Sequence, residues 1–227
     1  MFKAGIDQNA LIDMFAKAGA QGGEALRKAV SQATLKALQS RELTVANIRN
    51  VLKSVTQAAS AGAAQNAMPA VDVESLLEKA FAGMDAALLQ AVQAQRTALQ
   101  QFVSQGVALN NTQMKSALAN LEKMEDVFFS TVGKAAEGAG SALKGPWEQV
   151  LESMKLKGTD TGALAKTSFA NLMSQAQSAL REGRSAGLRG AQAMMDSYAA
   201  LVSGVLIGMT EGLQPAKPAA KSRGSSK

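Results

Sequence analysis

The side chains in this sequence able to do chemistry are carboxylates. Three pairs stand four residues apart, Glu74/Glu78, Glu122/Asp126 and Glu148/Glu152. That spacing puts both members on one face of a helix. Paired carboxylates serve acid–base catalysis across a cleft, or di-metal binding inside a helical bundle. The second use needs Glu-x-x-His partners, and the chain of 227 residues has no histidine. It has no cysteine either. The commonest metal ligand and the commonest base near neutral pH are therefore missing, as are a thiolate nucleophile, a disulfide framework and a cysteine-ligated zinc or iron–sulfur centre. The glycine-rich stretch 133–145 lacks the Gly-Lys-Ser/Thr ending of a phosphate loop. The carboxylate pairs read as solvated helix faces. We expect no catalytic residue, no metal site, no cofactor and no enzymatic activity.

What positions these faces is an all-α chain. Alanine fills 44 positions and aromatic residues only 4%. Ala and Leu are strong helix formers, and no alternating strand pattern stands out. The net charge of +6 is unevenly placed, since four of the 24 bases follow the last acid, Glu211. Residues 1–216 thus hold 20 bases against 18 acids, a surplus of two, and Lys217, Lys221, Arg223 and Lys227 form a basic tail. The N-terminus shows no signal pattern. The longest candidate for a membrane span, Ser197–Thr210, is uncharged but shorter than the ~18 apolar residues required and rich in small residues. These features predict a cytoplasmic protein.

Punctuation divides the chain. A short helix over Ile6–Ala18 meets Gly19, Gly22 and Gly23, and a second runs over Glu24–Ser40. Thr44 caps a third helix, and Ala61–Ala70 reads as a linker. Asp72 caps a long helix reaching Leu109, which a turn at Asn110–Thr112 folds back into a helix through Phe128 and Val132. Gly145-Pro146 restarts the chain as a brief helix, Pro146–Lys155, holding the only tryptophan. Gly158-Thr159-Asp160-Thr161 starts a last helical region ending near Gly212. The expected organisation is 1–67 (short helices), 68–140 (a long helical hairpin), 141–213 (a C-terminal helical region) and 214–227 (a basic tail of disordered composition). Unbroken helices over 72–109 and 161–212 would span about 57 and 76 Å. A compact domain of this length is roughly 45 Å across. The fold class expected is an elongated bundle of amphipathic helices.

The last helix carries the most information. At 100° per residue, Phe169, Gly187 and Val205 share one bearing at about 240° from Arg181, and Leu172, Gly190 and Gly208 share another at about 180°. Met194, Tyr198 and Leu201 extend the same apolar face, which predicts a contact face of Phe169, Leu172, Met194, Tyr198, Leu201 and Val205. Glycine inside a helix costs roughly 1 kcal/mol against alanine. Gly183, Gly187, Gly190, Gly204 and Gly208 therefore predict close approach of another helix backbone.

Ala/Gln-rich amphipathic helices without cysteine, ending in Pro215-Ala216-Lys217-Pro218-Ala219-Ala220-Lys221, resemble phasins, the coat proteins of bacterial polyhydroxyalkanoate granules. Residues Pro146–Gly212 are also similar to a bacterial family of unassigned function. The phasin resemblance implies a granule-associated helical protein that adsorbs to polyester and limits coalescence, without a catalytic residue. The expected partner is a hydrophobic granule or lipid-like surface, met by a homo-oligomer. A self-assembling helical scaffold is the alternative, and nucleic-acid association through the basic tail a weaker one, since four charges give only salt-sensitive affinity.

Overall fold

A computed structural model describes residues 7–41, 43–66, 72–104, 112–181, 202 and 204–207, and among these every regular element is a helix. The elements are α1 (Gln8–Gln21), α2 (Gly23–Gln39), α3 (Val45–Gln65), α4 (Val73–Ser104), α5 (Thr112–Glu122), α6 (Met124–Glu137), α7 (Ser141–Lys157) and α8 (Asp160–Arg181). Local chemistry sets the starts. The Asp7 carboxylate accepts the Ala10 amide at 3.1 Å, Thr44 accepts that of Asn47 at 3.2 Å, and Asp72 accepts that of Ser75 at 3.3 Å. Each satisfies an amide that the first turn leaves without an intrahelical partner. No helix among the described residues is long and apolar enough to cross a membrane.

Two expected boundaries move. The segment read as a linker from Ala61 continues α3 to Gln65, with Ser60, Gly62 and Ala63 buried. Gly62 is there for packing: a Cβ on it would lie 3.0 Å from the Ala16 nitrogen and 3.1 Å from the Phe15 Cβ. The second shift is in α7, which begins at Ser141 and carries Pro146 inside it. A proline disfavours helical backbone in the residue before it through that residue's Cβ. Gly145 has none, and this is what lets the helix run through. Lys123 separates α5 from α6, yet hydrogen bonds from Lys123 N–H to Ala119 O and from Val127 N–H to Lys123 O carry the helical pattern across it. The return limb after α4 is thus one bent path.

The long helix α4, about 48 Å at 1.5 Å per residue, is the axis, packed against α2, α3, α5, α7 and α8. Glu24 of α2 bridges to Lys79 of α4 at 2.9 Å, and the Arg27 carbonyl lies over Gly83. The pairs advance together, so α2 runs parallel to α4. Likewise Gln8 donates to Ser54 O at 2.9 Å and Asn66 to Ala16 O at 2.7 Å, which sets α1 parallel to α3. A single apolar core extends from Phe15 to Leu206 and crosses both interior divisions drawn from the sequence. Between α4 and α6 it is filled by rings, with Phe81 stacked on Phe128 at 4.6 Å and tilted toward Phe129 at 5.6 Å. Trp147 donates to Ser60 Oγ at 2.9 Å, and Ser60 to Thr56 O at 2.8 Å, which binds α7 to α3 through buried polar groups.

Gly83 and Gly133 should respond to alanine with opposite sign. A Cβ at Gly83 would sit 2.5 Å from the Arg27 carbonyl oxygen and 3.0 Å from the Val30 Cβ, so α2 must shift. At Gly133 the only near atom among the described residues is a Leu151 methyl at 3.8 Å. Urea unfolding should show Gly83→Ala losing about 1–3 kcal/mol to overpacking, and Gly133→Ala gaining up to about 1 kcal/mol from helix propensity.

Candidate functional site

The structure draws the most distant parts of the chain together at the start of α8. The five residues Gly158-Thr159-Asp160-Thr161-Gly162 each have a separable task. Gly158 ends α7 at φ 75°, a backbone conformation that favours glycine, while its amide bonds Met154 O at 2.9 Å. Thr159 caps α8, its hydroxyl accepting the Gly162 amide at 2.9 Å and donating to Glu125 Oε1 of α6 at 3.2 Å. The Asp160 and Thr161 amides donate to the two oxygens of Asp85 on α4, at 3.0 and 3.2 Å. The Thr161 hydroxyl adds a bond to the Asp85 carbonyl at 3.0 Å. Ala163 N–H bonds Thr159 O at 3.0 Å. That last bond is the first within the helix. The Thr159 amide donates to Glu125 Oε1 at 3.3 Å, so the four amides without an intrahelical partner are all met, three of them by carboxylates from other helices. Gly162 makes room: a Cβ there would collide with the Glu125 carboxylate.

Two carboxylates at a helix N-terminus also answer the positive end of its dipole. Their titrations differ. Burial pushes the Asp85 carboxyl above its ordinary range, and its hydrogen bonds to α8 oppose this without cancelling it. Glu125 is held below its ordinary value of 4.5, chiefly by the Lys166 ammonium at 2.7 Å and then by the Thr159 bonds. Lys166 is raised in turn by Glu125, and Asp126 adds to that.

Three residues of the expected contact face lie among the described residues. Leu172 is fully buried, and Phe169 and Val205 are half-buried against the same core. Met194, Tyr198 and Leu201 lie outside the described residues, as do Gly183, Gly187, Gly190, Gly208 and the basic tail of Lys217, Lys221, Arg223 and Lys227. Gly204 is exposed, and a Cβ built on it meets nothing within 4 Å among the described residues. The close approaches occur instead at Gly62, Gly83 and Gly162. Of the carboxylate pairs, Glu74, Glu122, Asp126, Glu148 and Glu152 are exposed, and half-buried Glu78 bonds Lys157 at 3.6 Å. The acids that do organise the molecule, Asp85 and Glu125, were not singled out. Their signal was in the sequence, since Asp85 shares helical spacing with Phe81 and Leu88, and Glu125 with Leu121 and Phe128. An acid on an apolar stripe needs a partner. On the facing surfaces of this assembly the fit is less complete: Gln90 Oε1 and Gln95 Oε1 of α4 and Ser168 Oγ of α8 are buried with no hydrogen-bond partner among the described residues.

The arrangement is an all-helical bundle whose last described helix is pinned at its amino end, with no cluster of metal-ligating side chains among the described residues. Residues 1–215 match a family described as a family of unknown function (DUF6781), and the chain belongs to it. The match is far wider than the Pro146–Gly212 segment, and nothing in it assigns the chain to the phasins. No curated protein and no solved structure matches the chain.

Glu125 sets a pH dependence whose sign follows from its lowered titration. Its stabilising contribution is complete above the unfolded value of 4.5 and is lost as pH falls through the lower folded value. Glu125→Gln should cost about 1 kcal/mol at pH 7. The gap from wild type in urea midpoint should close as pH falls below 4.5.

Proposed function

We propose that this protein is a non-enzymatic, surface-acting helical protein that coats an apolar surface, in the manner of the phasins it resembles, and that it does so by opening its bundle. The observation carrying this reading is the kind of core it has. Among the described residues, 13 of the 43 buried apolar side chains are alanine. Burying a methyl gains about 0.8 kcal/mol, against about 1.5–3 for Leu, Val, Phe or Met. Long amphipathic helices that gain little from one another lose little on parting. An apolar surface then repays their exposed flanks at about 25 cal/mol per Å² covered. The flanks are enclosed in the closed bundle, so adsorption requires a rearrangement, and a rigid rod with a permanently greasy side is not the mechanism proposed. α8 is the helix to move: its start is held by the polar contacts at Asp85 and Glu125, and buried Ser168 has no hydrogen-bond partner among the described residues.

A second reading, a helical scaffold that pairs with other chains, draws on Leu156. This leucine is 90% exposed at the end of α7, between Lys155 and Lys157. Sedimentation with polyester nanoparticles and with triolein droplets separates the two. The coat reading predicts that the full chain partitions onto both, with Trp147, buried in solution, becoming quenchable by acrylamide as the core opens. Protein that stays in solution as a fixed oligomer, with Trp147 still shielded, overturns the coat reading in favour of the scaffold.

A further inference from the structure

The first three helices form a layer, and its charge differs from that of the helices beneath. α1 lies on α2 and α3 together. Gly22 turns it back into α2, so those two run antiparallel, while the bonds from Gln8 to Ser54 and from Asn66 to Ala16 keep it parallel to α3. Residues 7–66 hold seven bases against four acids, a surplus of three. Residues 72–137, which supply α4, α5 and α6, hold five bases against eight acids, a deficit of three.

The surplus is displayed on the outside of the layer. Arg27 is taken by Glu24, and Arg41 also has a partner within the molecule. That leaves Lys28 and Lys36 of α2 and Arg49 and Lys53 of α3, all exposed and without an ion pair among the described residues. Lys28, Gln32, Lys36 and Ser40 recur every four residues as the exposed stripe of α2. Three of them, Gln32, Lys36 and Ser40, border α1 beside Ala10 and Met14. Lys53 precedes Ser54, whose carbonyl Gln8 bonds, so Lys53 and Arg49 a turn before it stand at the other flank of α1. Between the two rows α1 exposes Ala10 and Met14, with Leu11 half-buried beside them. Its own exposed charges, Asp13 and Lys17, cancel, and Asp7 is engaged in capping through the Ala10 amide.

Cations on either side of an apolar strip suit a surface that is anionic at its headgroups and apolar beneath them. They suit a nucleic acid less well, because base stacking needs an exposed ring. The one aromatic residue within 7–66, Phe15, is buried. We propose that the outer face of the α1, α2 and α3 layer docks the closed bundle on an anionic phospholipid surface. Lys28, Lys36, Arg49 and Lys53 meet the phosphates, and Met14 enters between the headgroups, where its flexible thioether adapts to an irregular apolar setting. The face is exposed without any rearrangement, so this docking goes beyond the coat reading and does not depend on it.

The test floats the full chain with phosphatidylcholine vesicles, with and without phosphatidylglycerol. Binding should be about tenfold or more tighter to the anionic vesicles and should weaken as salt is added. The quadruple variant Lys28→Gln, Lys36→Gln, Arg49→Gln and Lys53→Gln keeps good helix formers at exposed positions and should lose about tenfold or more. The same exchange at Lys115, Lys123, Lys134 and Lys155, exposed cations outside the layer, removes equal charge. It should cost less than about threefold, since charges beyond a Debye length are screened. Met14→Gln should weaken binding severalfold, and Trp147 should stay shielded from acrylamide on the vesicles because the bundle remains closed. No preference for phosphatidylglycerol, equal losses in the two quadruple variants, unchanged affinity in Met14→Gln or a quenchable Trp147 would each overturn the proposal. So would duplex DNA that displaces the vesicles through the same four residues. Partition onto uncharged triolein with Trp147 exposed bears on the coat reading alone.

Discussion

Two carboxylates from different helices hold the amino end of α8, and the closed form of the molecule depends on that arrangement. A helix start presents four amides without partners inside the helix. Here two are met by Asp85 of α4, while Glu125 of α6 grips the Thr159 cap that meets a third. Each acid is useful only if the other two helices are in register, so α4, α6 and α8 are fixed together at one point. Burying part of Asp85 has a cost, visible in its raised titration. Glu125 is better supplied, through Lys166. The latch is an interaction of opposed terms, and interactions of that kind fix geometry more firmly than they add stability.

Away from that point the bundle is held by many small contacts. The helices come close where glycine allows it, at Gly62 between α1 and α3 and at Gly83 between α2 and α4. Close approach compensates for short side chains by bringing backbones into contact. The larger groups are concentrated where α4 meets α6 and α7, at Phe81, Phe128 and Trp147. The last described helix, α8, is seated both by the polar contacts at its start and by an apolar face that buries Ala165 and Leu172. The exposed bridges contribute little to the bundle. Arg27 and Lys79 pull Glu24 down to about 2, yet the Glu24 side chain is 60% exposed and water screens the exchange.

Much of this architecture was legible because it is written in local chemistry. Thr44, Asp72 and the Gly158–Thr161 run marked helix starts, and the glycines at 19, 22 and 23 marked a break after the first helix, because caps and turns are decided within a few residues. Glycine inside a helix was harder to read. Gly62 looked like part of a linker beside Pro69, since sequence alone does not show that Phe15 and Ala16 arrive against it. The expectation of close packing at the glycines of the last helix falls mostly outside the described residues, and at Gly204 no such approach is found among them. Pro146 was read as a start because its tolerance inside α7 rests on Gly145. Asp85 and Glu125 escaped notice because a through-space partner has no spacing to search for. An acid set among Phe81, Met84 and Leu88 was nonetheless a visible inconsistency.

The absence of cysteine makes the central claim, that the bundle opens at α8, open to a clean test. A Cβ at Gly162 would lie against the Glu125 carboxylate, so Glu125→Cys with Gly162→Cys places two thiols where a disulfide can bridge α6 and α8. Adsorption of this variant to polyester nanoparticles should be measured oxidised and then reduced. The account predicts that the oxidised form stays in solution, and that reduction, which leaves α8 without its Glu125 contact, restores adsorption at a rate above that of the wild type. Equal adsorption of the oxidised and reduced forms would contradict it.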